Sequence, residues 1–92
     1  MATIGKIDPF NDAEEDWPSY VERLEMFFMV NNVEDEKRTA ALVSLIGGKT
    51  YGLLKSLTAS EPPSSFTFKQ LTDLLRNHFN PKPLVIGDVF FL

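Results

Sequence analysis

The sequence contains no cysteine and only one histidine among its 92 residues. Without cysteine the chain has no disulfide, no thiolate nucleophile and no cysteine-based zinc site, and one histidine cannot form a histidine-rich metal site. The longest apolar runs, such as Met26–Val30, are too short to predict a membrane-spanning helix. The first ten residues lack a basic start followed by an apolar run, which argues against a secretory signal. We therefore expect an intracellular, cytoplasmic protein, with the nucleus as the alternative.

The apolar content of 43% is typical of a folded chain, and the length suits one small domain. The net charge of −4 is unevenly distributed along the chain. Residues 1–36 contain ten acidic and two basic residues, whereas residues 37–92 contain seven basic and three acidic residues. An acidic front and a basic back favour head-to-tail association of copies, although ordinary surface charge is the simpler interpretation. The seven bases form no stripe, which argues against direct nucleic-acid binding.

Capping and turn signals predict an all-α fold, a small bundle of four to five short helices. The predicted helices span about 17–31, 37–46, 49–57 and 67–79. Residues 1–16 are expected to form an extended lead-in and residues 17–83 the helical lobe. Residues 84–92 form an apolar tail, either a fifth helix or a partner-binding segment.

The first predicted helix has apolar residues on two faces. One face joins the expected core, and the other carries Met26, Met29 and Val30. Apolar character all round favours a central helix that is covered on both sides, and the alternative is that the second face meets a partner. The second helix is likewise expected to be well buried. The predicted core consists of Trp17, Tyr20, Leu24, Phe28, Leu42, Tyr51, Leu54, Leu71, Leu74, Leu75 and Phe79.

Few residues suggest catalysis. The sequence GGKT at 47–50 lacks the upstream glycine of a phosphate-binding loop and follows a predicted helix, so a helix end followed by a helix start is the better interpretation. His78 projects onto the apolar face of the last helix and is expected to be a partly buried core residue, with a pH-sensitive contact as the alternative. Trp17, at a helix start, favours core packing over anchoring a ligand. The sequence therefore predicts neither an enzyme nor a cofactor. Binding or assembly is the function that we expect instead.

Three segments, DWPSYVERLEMFFMVNNV, LVSLIGGKTYGLLKSL and FKQLTDLLRNHFNPKPLVI, together resemble the Gag polyprotein of gypsy-type LTR retrotransposons. The resemblance is closest to the N-terminal lobe of the capsid region and covers about residues 4–86. It implies an α-helical lobe through which copies of Gag associate into a shell around RNA. The same lobe occurs in domesticated relatives such as the neuronal Arc protein, where a groove takes short extended peptides.

We therefore predict a structural domain for self-association, forming a dimer or a larger homo-oligomer. The predicted interface comprises Met26, Met29, Val30, Val89, Phe90, Phe91 and Leu92. The alternative is a peptide-binding adaptor, in which Ile4, Ile7 and Phe10 of the lead-in lie in, or cover, a groove between helices.

Overall fold

The computed structural model describes residues 5–79. Within this range the chain forms four α-helices and two 3₁₀ turns and no strand, so the predicted all-α fold is confirmed. The helices are α1 (Trp17–Val30), α2 (Arg38–Leu45), α3 (Gly48–Leu57) and α4 (Phe68–Phe79), and the 3₁₀ turns Asp35–Lys37 and Pro63–Ser65 precede α2 and α4. The predicted lobe boundary at residue 83 and the apolar tail lie outside the described residues.

Capping residues define where α1 and α4 begin. The Asp16 carboxylate accepts hydrogen bonds from the backbone N–H and the hydroxyl of Ser19, at 3.0 and 2.9 Å. At α4, the backbone N–H of Gln70 donates to Thr67 Oγ1 at 3.1 Å, and the backbone N–H of Thr67 donates to Gln70 Oε1 at 2.9 Å. These bonds satisfy amide groups that have no partner within the helix, which explains why both predicted starts are confirmed.

The junction between α2 and α3 requires a glycine. Gly47 has a φ of +92°, and a Cβ placed there would lie 2.7 Å from Pro9 Cβ. Glycine alone accepts both this backbone conformation and this close approach without cost. The predicted helix end and helix start at GGKT are thus confirmed, and the same junction receives the segment that precedes α1.

The helix at the centre of the bundle is α4, which contacts α1, α2 and α3. The expectation that α1 is covered on both sides is therefore wrong, because only one of its faces packs inward. The expectation of a well-buried second helix is confirmed in part, since Leu42 and Ile46 of its predicted span are buried, whereas Ala41, Val43 and Leu45 are only partly buried against the core.

Eight predicted core residues are buried, whereas Tyr51, Leu74 and Phe79 are partly buried against the core. Phe10 and Ile46 complete the set of buried hydrophobic residues. The full core comprises Phe10, Trp17, Tyr20, Leu24, Phe28, Leu42, Ile46, Leu54, Leu71 and Leu75. No helix formed by residues 5–79 is long and apolar enough to cross a membrane.

Candidate interaction surfaces

An exposed apolar patch lies on the last turns of α1. The side chains of Met26, Met29 and Val30, which we call the α1 patch, are 54%, 65% and 48% exposed. Their spacing of three and four residues places them on one face of the helix. In the described part of the chain the only other large hydrophobic residue of this class is Leu57, at 36% on α3. The face that was expected to be covered is therefore open to solvent.

An acidic residue lies beside the α1 patch. Glu22 is exposed one turn before Met26 on the same face. Arg23, also nearby, is already paired, because its guanidinium donates to both carboxylate oxygens of Glu15 at 2.9 and 2.8 Å. This hydrogen bond lowers the pKa of Glu15 and raises that of Arg23. The margin of the patch is left with net negative charge.

The segment before α1 packs into the domain. We call residues 5–10 the N-terminal arm. Its Phe10 is 6% exposed and makes edge-on contacts with the rings of Trp17, Tyr20 and Phe79 at centroid distances of 5.0, 5.2 and 5.0 Å. The Phe10 backbone N–H donates to the Ile46 carbonyl at 3.1 Å. The predicted extended lead-in thus contributes to the core at Phe10, and it turns back at residues 12–15 before α1 begins.

Two aromatic residues of α1 fix the surroundings of the arm. The buried Tyr20 hydroxyl donates to the Asp8 carbonyl at 2.7 Å, and burial raises the pKa of Tyr20 to about 12. The hydroxyl therefore keeps its proton, and its role as donor, throughout the neutral range. Trp17 is 1% exposed, and its indole N–H donates to the Thr72 carbonyl at 3.0 Å. The predicted core packing of Trp17 is confirmed.

The arm lies in a groove that we call the arm groove. It is formed by Trp17, Tyr20, Ile46, Gly47 and Phe79. Of the lead-in residues predicted to lie in a groove, Phe10 occupies its centre and Ile7 is partly buried against the core. Ile4 lies outside the described residues. The sequence shows that these residues are apolar. How deeply Phe10 is buried, however, depends on helices that are distant along the chain.

Two cavities border the arm where it meets the end of α4. The larger, of about 400 Å³, is lined by Phe10, Trp17 and Phe79 together with acidic residues of the turn before α1. The smaller, of about 220 Å³, is lined by apolar residues including Phe10 and Leu53, with His78 among its polar members. Phe10 therefore lines both cavities, although little of its side chain is exposed.

His78 is exposed, so the prediction that it is a partly buried core residue is wrong. Its ring stands edge-on to Phe79 at a centroid distance of 5.1 Å and borders the smaller cavity. Helical projection placed it within the apolar face of α4. It lies on the last turn, however, where no other helix of residues 5–79 covers it.

The turn that joins the arm to α1 carries most of the local negative charge. Four of its residues, Asp12, Glu14, Glu15 and Asp16, are acidic. Within residues 5–79 no group of three or more acidic or histidine side chains is arranged so that it could hold a metal ion. We therefore interpret this turn as an acidic linker between the arm and α1.

No protein-family model, curated protein or solved structure matches this chain. The resemblance to Gag thus depends on the sequence segments quoted above. Of the residues predicted to form the interface, Val89, Phe90, Phe91 and Leu92 lie outside the described residues. The α1 patch and the arm groove are the two candidate interaction surfaces of the described residues.

Proposed function

We propose that this chain is a structural domain through which copies of itself associate, in the manner of the N-terminal lobe of a gypsy-type Gag capsid. The observation that carries the proposal is the α1 patch, because three of the four most exposed large hydrophobic residues described share one face of one helix. Contiguous exposed apolar surface is typical of protein–protein contacts. Methionine is also common at interfaces, where its flexible thioether adapts to different partner surfaces.

The size of the α1 patch limits how strongly it holds two copies together. Each of its side chains is about half exposed, and full burial of such a side chain contributes about 1.5–3 kcal/mol, so each adds roughly 1 kcal/mol on association. Six side chains from two copies contribute about 6 kcal/mol. Association costs about 4–15 kcal/mol in lost freedom of motion. The patch alone therefore supports weak association, as expected of a subunit that assembles through several contacts.

A double variant, M26S/M29S, tests the role of the patch. Both side chains are exposed, so the substitutions leave the core intact and remove the apolar contact. We expect the variant to need a higher protein concentration than the wild type to associate, as measured by sedimentation equilibrium. L57S on α3 is the matched control, because it removes an exposed hydrophobic residue from a different helix. Equal association by M26S/M29S, L57S and the wild type would rule out the patch as the interface.

A second candidate function, peptide binding by an adaptor, is favoured by the arm groove. The groove holds an extended segment through one aromatic side chain, Phe10, and one backbone hydrogen bond to Ile46. An external peptide with a Pro-Phe pair would present the same groups. Binding of such a peptide to the F10A variant, measured by fluorescence anisotropy, would support this function if the same peptide with alanine in place of phenylalanine does not bind. Failure of both peptides to bind would exclude it.

A further inference from the structure

The arm is held in its groove by contacts that do not depend on which chain supplies it. The Phe10 ring fills the space between Trp17, Tyr20 and Phe79. Two backbone groups of the arm are bound, since the Phe10 N–H donates to Ile46 and the Asp8 carbonyl accepts from Tyr20. An identical arm from a second copy would make the same contacts. Every copy therefore carries both the groove and a segment that fits into it.

The linker between arm and helix is compact and rich in carboxylates. Residues 11–15 turn back through hydrogen bonds from the backbone N–H groups of Glu14 and Glu15 to the Asn11 carbonyl, at 3.0 and 3.1 Å. The four carboxylates of the turn are matched by two cations, Arg23 on Glu15 and Lys49 on Asp12. The Lys49 contact is long, at 3.6 Å, and Lys49 is 87% exposed, so it compensates little of the charge.

Opening the turn separates these carboxylates. A fully extended chain spaces its residues by about 3.3–3.6 Å each, which moves like charges apart along the chain and lowers their mutual repulsion. Among the described residues, Phe10 lines two cavities beside Phe79. Release of the arm from its own groove thus gives up few polar contacts, and the same contacts are regained in the groove of another copy.

From these observations we infer that copies of this chain exchange their N-terminal arms, so that residues 5–10 of one copy occupy the arm groove of another. Exchange between two copies is reciprocal and has two-fold symmetry. The inference rests on the proposed self-association and supplies the contact that the weak α1 patch lacks. The patch and the groove are formed by different residues, so one copy can use both, and the two contacts together link copies into larger assemblies.

The test uses the absence of cysteine and the single tryptophan of the chain. A spin label is attached to the K6C variant, whose cysteine is the only one present, because Lys6 is an exposed arm residue. The labelled chain, without ¹⁵N, is mixed with an equal amount of ¹⁵N-labelled wild-type chain. If arms are exchanged, the Trp17 indole and Gly47 amide signals of the ¹⁵N chain lose intensity through broadening by the label on the other copy. Reduction of the label restores them.

Two controls separate exchange from other contacts. A label on E22C, beside the α1 patch, should broaden signals of Met29 and Val30 more strongly than the Trp17 indole signal. Adding F10S to the K6C chain removes the aromatic side chain that fills the groove, and the broadening of Trp17 should then be lost, although the ¹⁵N wild-type chain remains intact and folded.

Each outcome decides the inference. Broadening of Trp17 by K6C, lost with F10S, supports exchange. Broadening by E22C without any effect of K6C would overturn exchange and leave self-association standing. Broadening of Trp17 that persists with F10S would also overturn exchange, because it would not depend on the arm. No broadening from either label, with a constant mass of 10.4 kDa at all concentrations, would overturn exchange and self-association together.

Discussion

Replacing Phe10 with alanine tests whether the arm is part of the folded core. Burial of a phenylalanine to this depth predicts a loss of about 3–5 kcal/mol when the ring is deleted. Three edge-on aromatic contacts, each worth about 0.5–1.5 kcal/mol, disappear with it. The two cavities beside the ring let water and side chains fill the space, so we expect the lower end of the range, about 3 kcal/mol.

That loss is large for a domain of this size. At roughly 0.05–0.15 kcal/mol per residue, the whole chain has a free energy of unfolding of about 5–14 kcal/mol. The Tyr20→Phe variant isolates one part of the effect, because it keeps the ring and removes the hydroxyl that donates to the Asp8 carbonyl. Loss of this hydrogen bond is expected to cost about 0.5–1.5 kcal/mol.

Urea unfolding followed by Trp17 fluorescence measures both variants, since Trp17 is the only tryptophan and contacts the Phe10 ring. Measurements should be made at a dilution where the protein is monomeric. The exposed Met29→Ala is the control, with an expected change within about 0.5 kcal/mol. A loss for Phe10→Ala no larger than that of Met29→Ala would refute the assignment of the arm to the core.

Three further predictions concern the junction, the caps and the response to acid. Gly47→Ala should lower the urea midpoint substantially, because the new Cβ meets Pro9 and the backbone has a φ of +92°, whereas Gly48→Ala, with no atom within 4 Å of its Cβ, should not. Thr67→Ala should cost about 1 kcal/mol by removing the capping bond to Gln70, and unchanged stability would contradict the observed helix start. The pKa of Glu15 is lowered from its ordinary 4.5 by the hydrogen bond from Arg23, so its contribution is present above pH 4.5 and is lost as the pH falls through the lowered value. The urea midpoint should therefore fall on acidification below about pH 4.5, and Glu15→Gln should reduce the size of that fall.

The sequence predicted local structure well because the responsible interactions are local. Asp16 and Ser19, or Thr67 and Gln70, lie three residues apart, so the caps could be identified without any knowledge of the tertiary fold. The end of α1 was equally accessible, since Asn32 adopts the left-handed conformation with a φ of +56° that asparagine tolerates.

The predictions that were wrong concern which face of a helix is covered by other helices. Helical periodicity identified Met26, Met29 and Val30 as one face, but coverage depends on the positions of other helices, and α4 took the central place that α1 was expected to hold. His78 was misplaced for the same reason. The sequence placed Phe10 among the lead-in residues that lie in, or cover, a groove, but it did not place Phe10 in the core. The partners Ile46 and Phe79 are distant in sequence, and no local pattern shows how deeply a lead-in residue is buried.

The mass of the full chain in solution as a function of concentration tests the central claim most directly. Sedimentation equilibrium over a wide concentration range should show a mass that rises from the 10.4 kDa of one chain towards about twice that value or more. A mass that remains at 10.4 kDa up to the highest concentration measured would contradict the proposal that this domain functions by self-association.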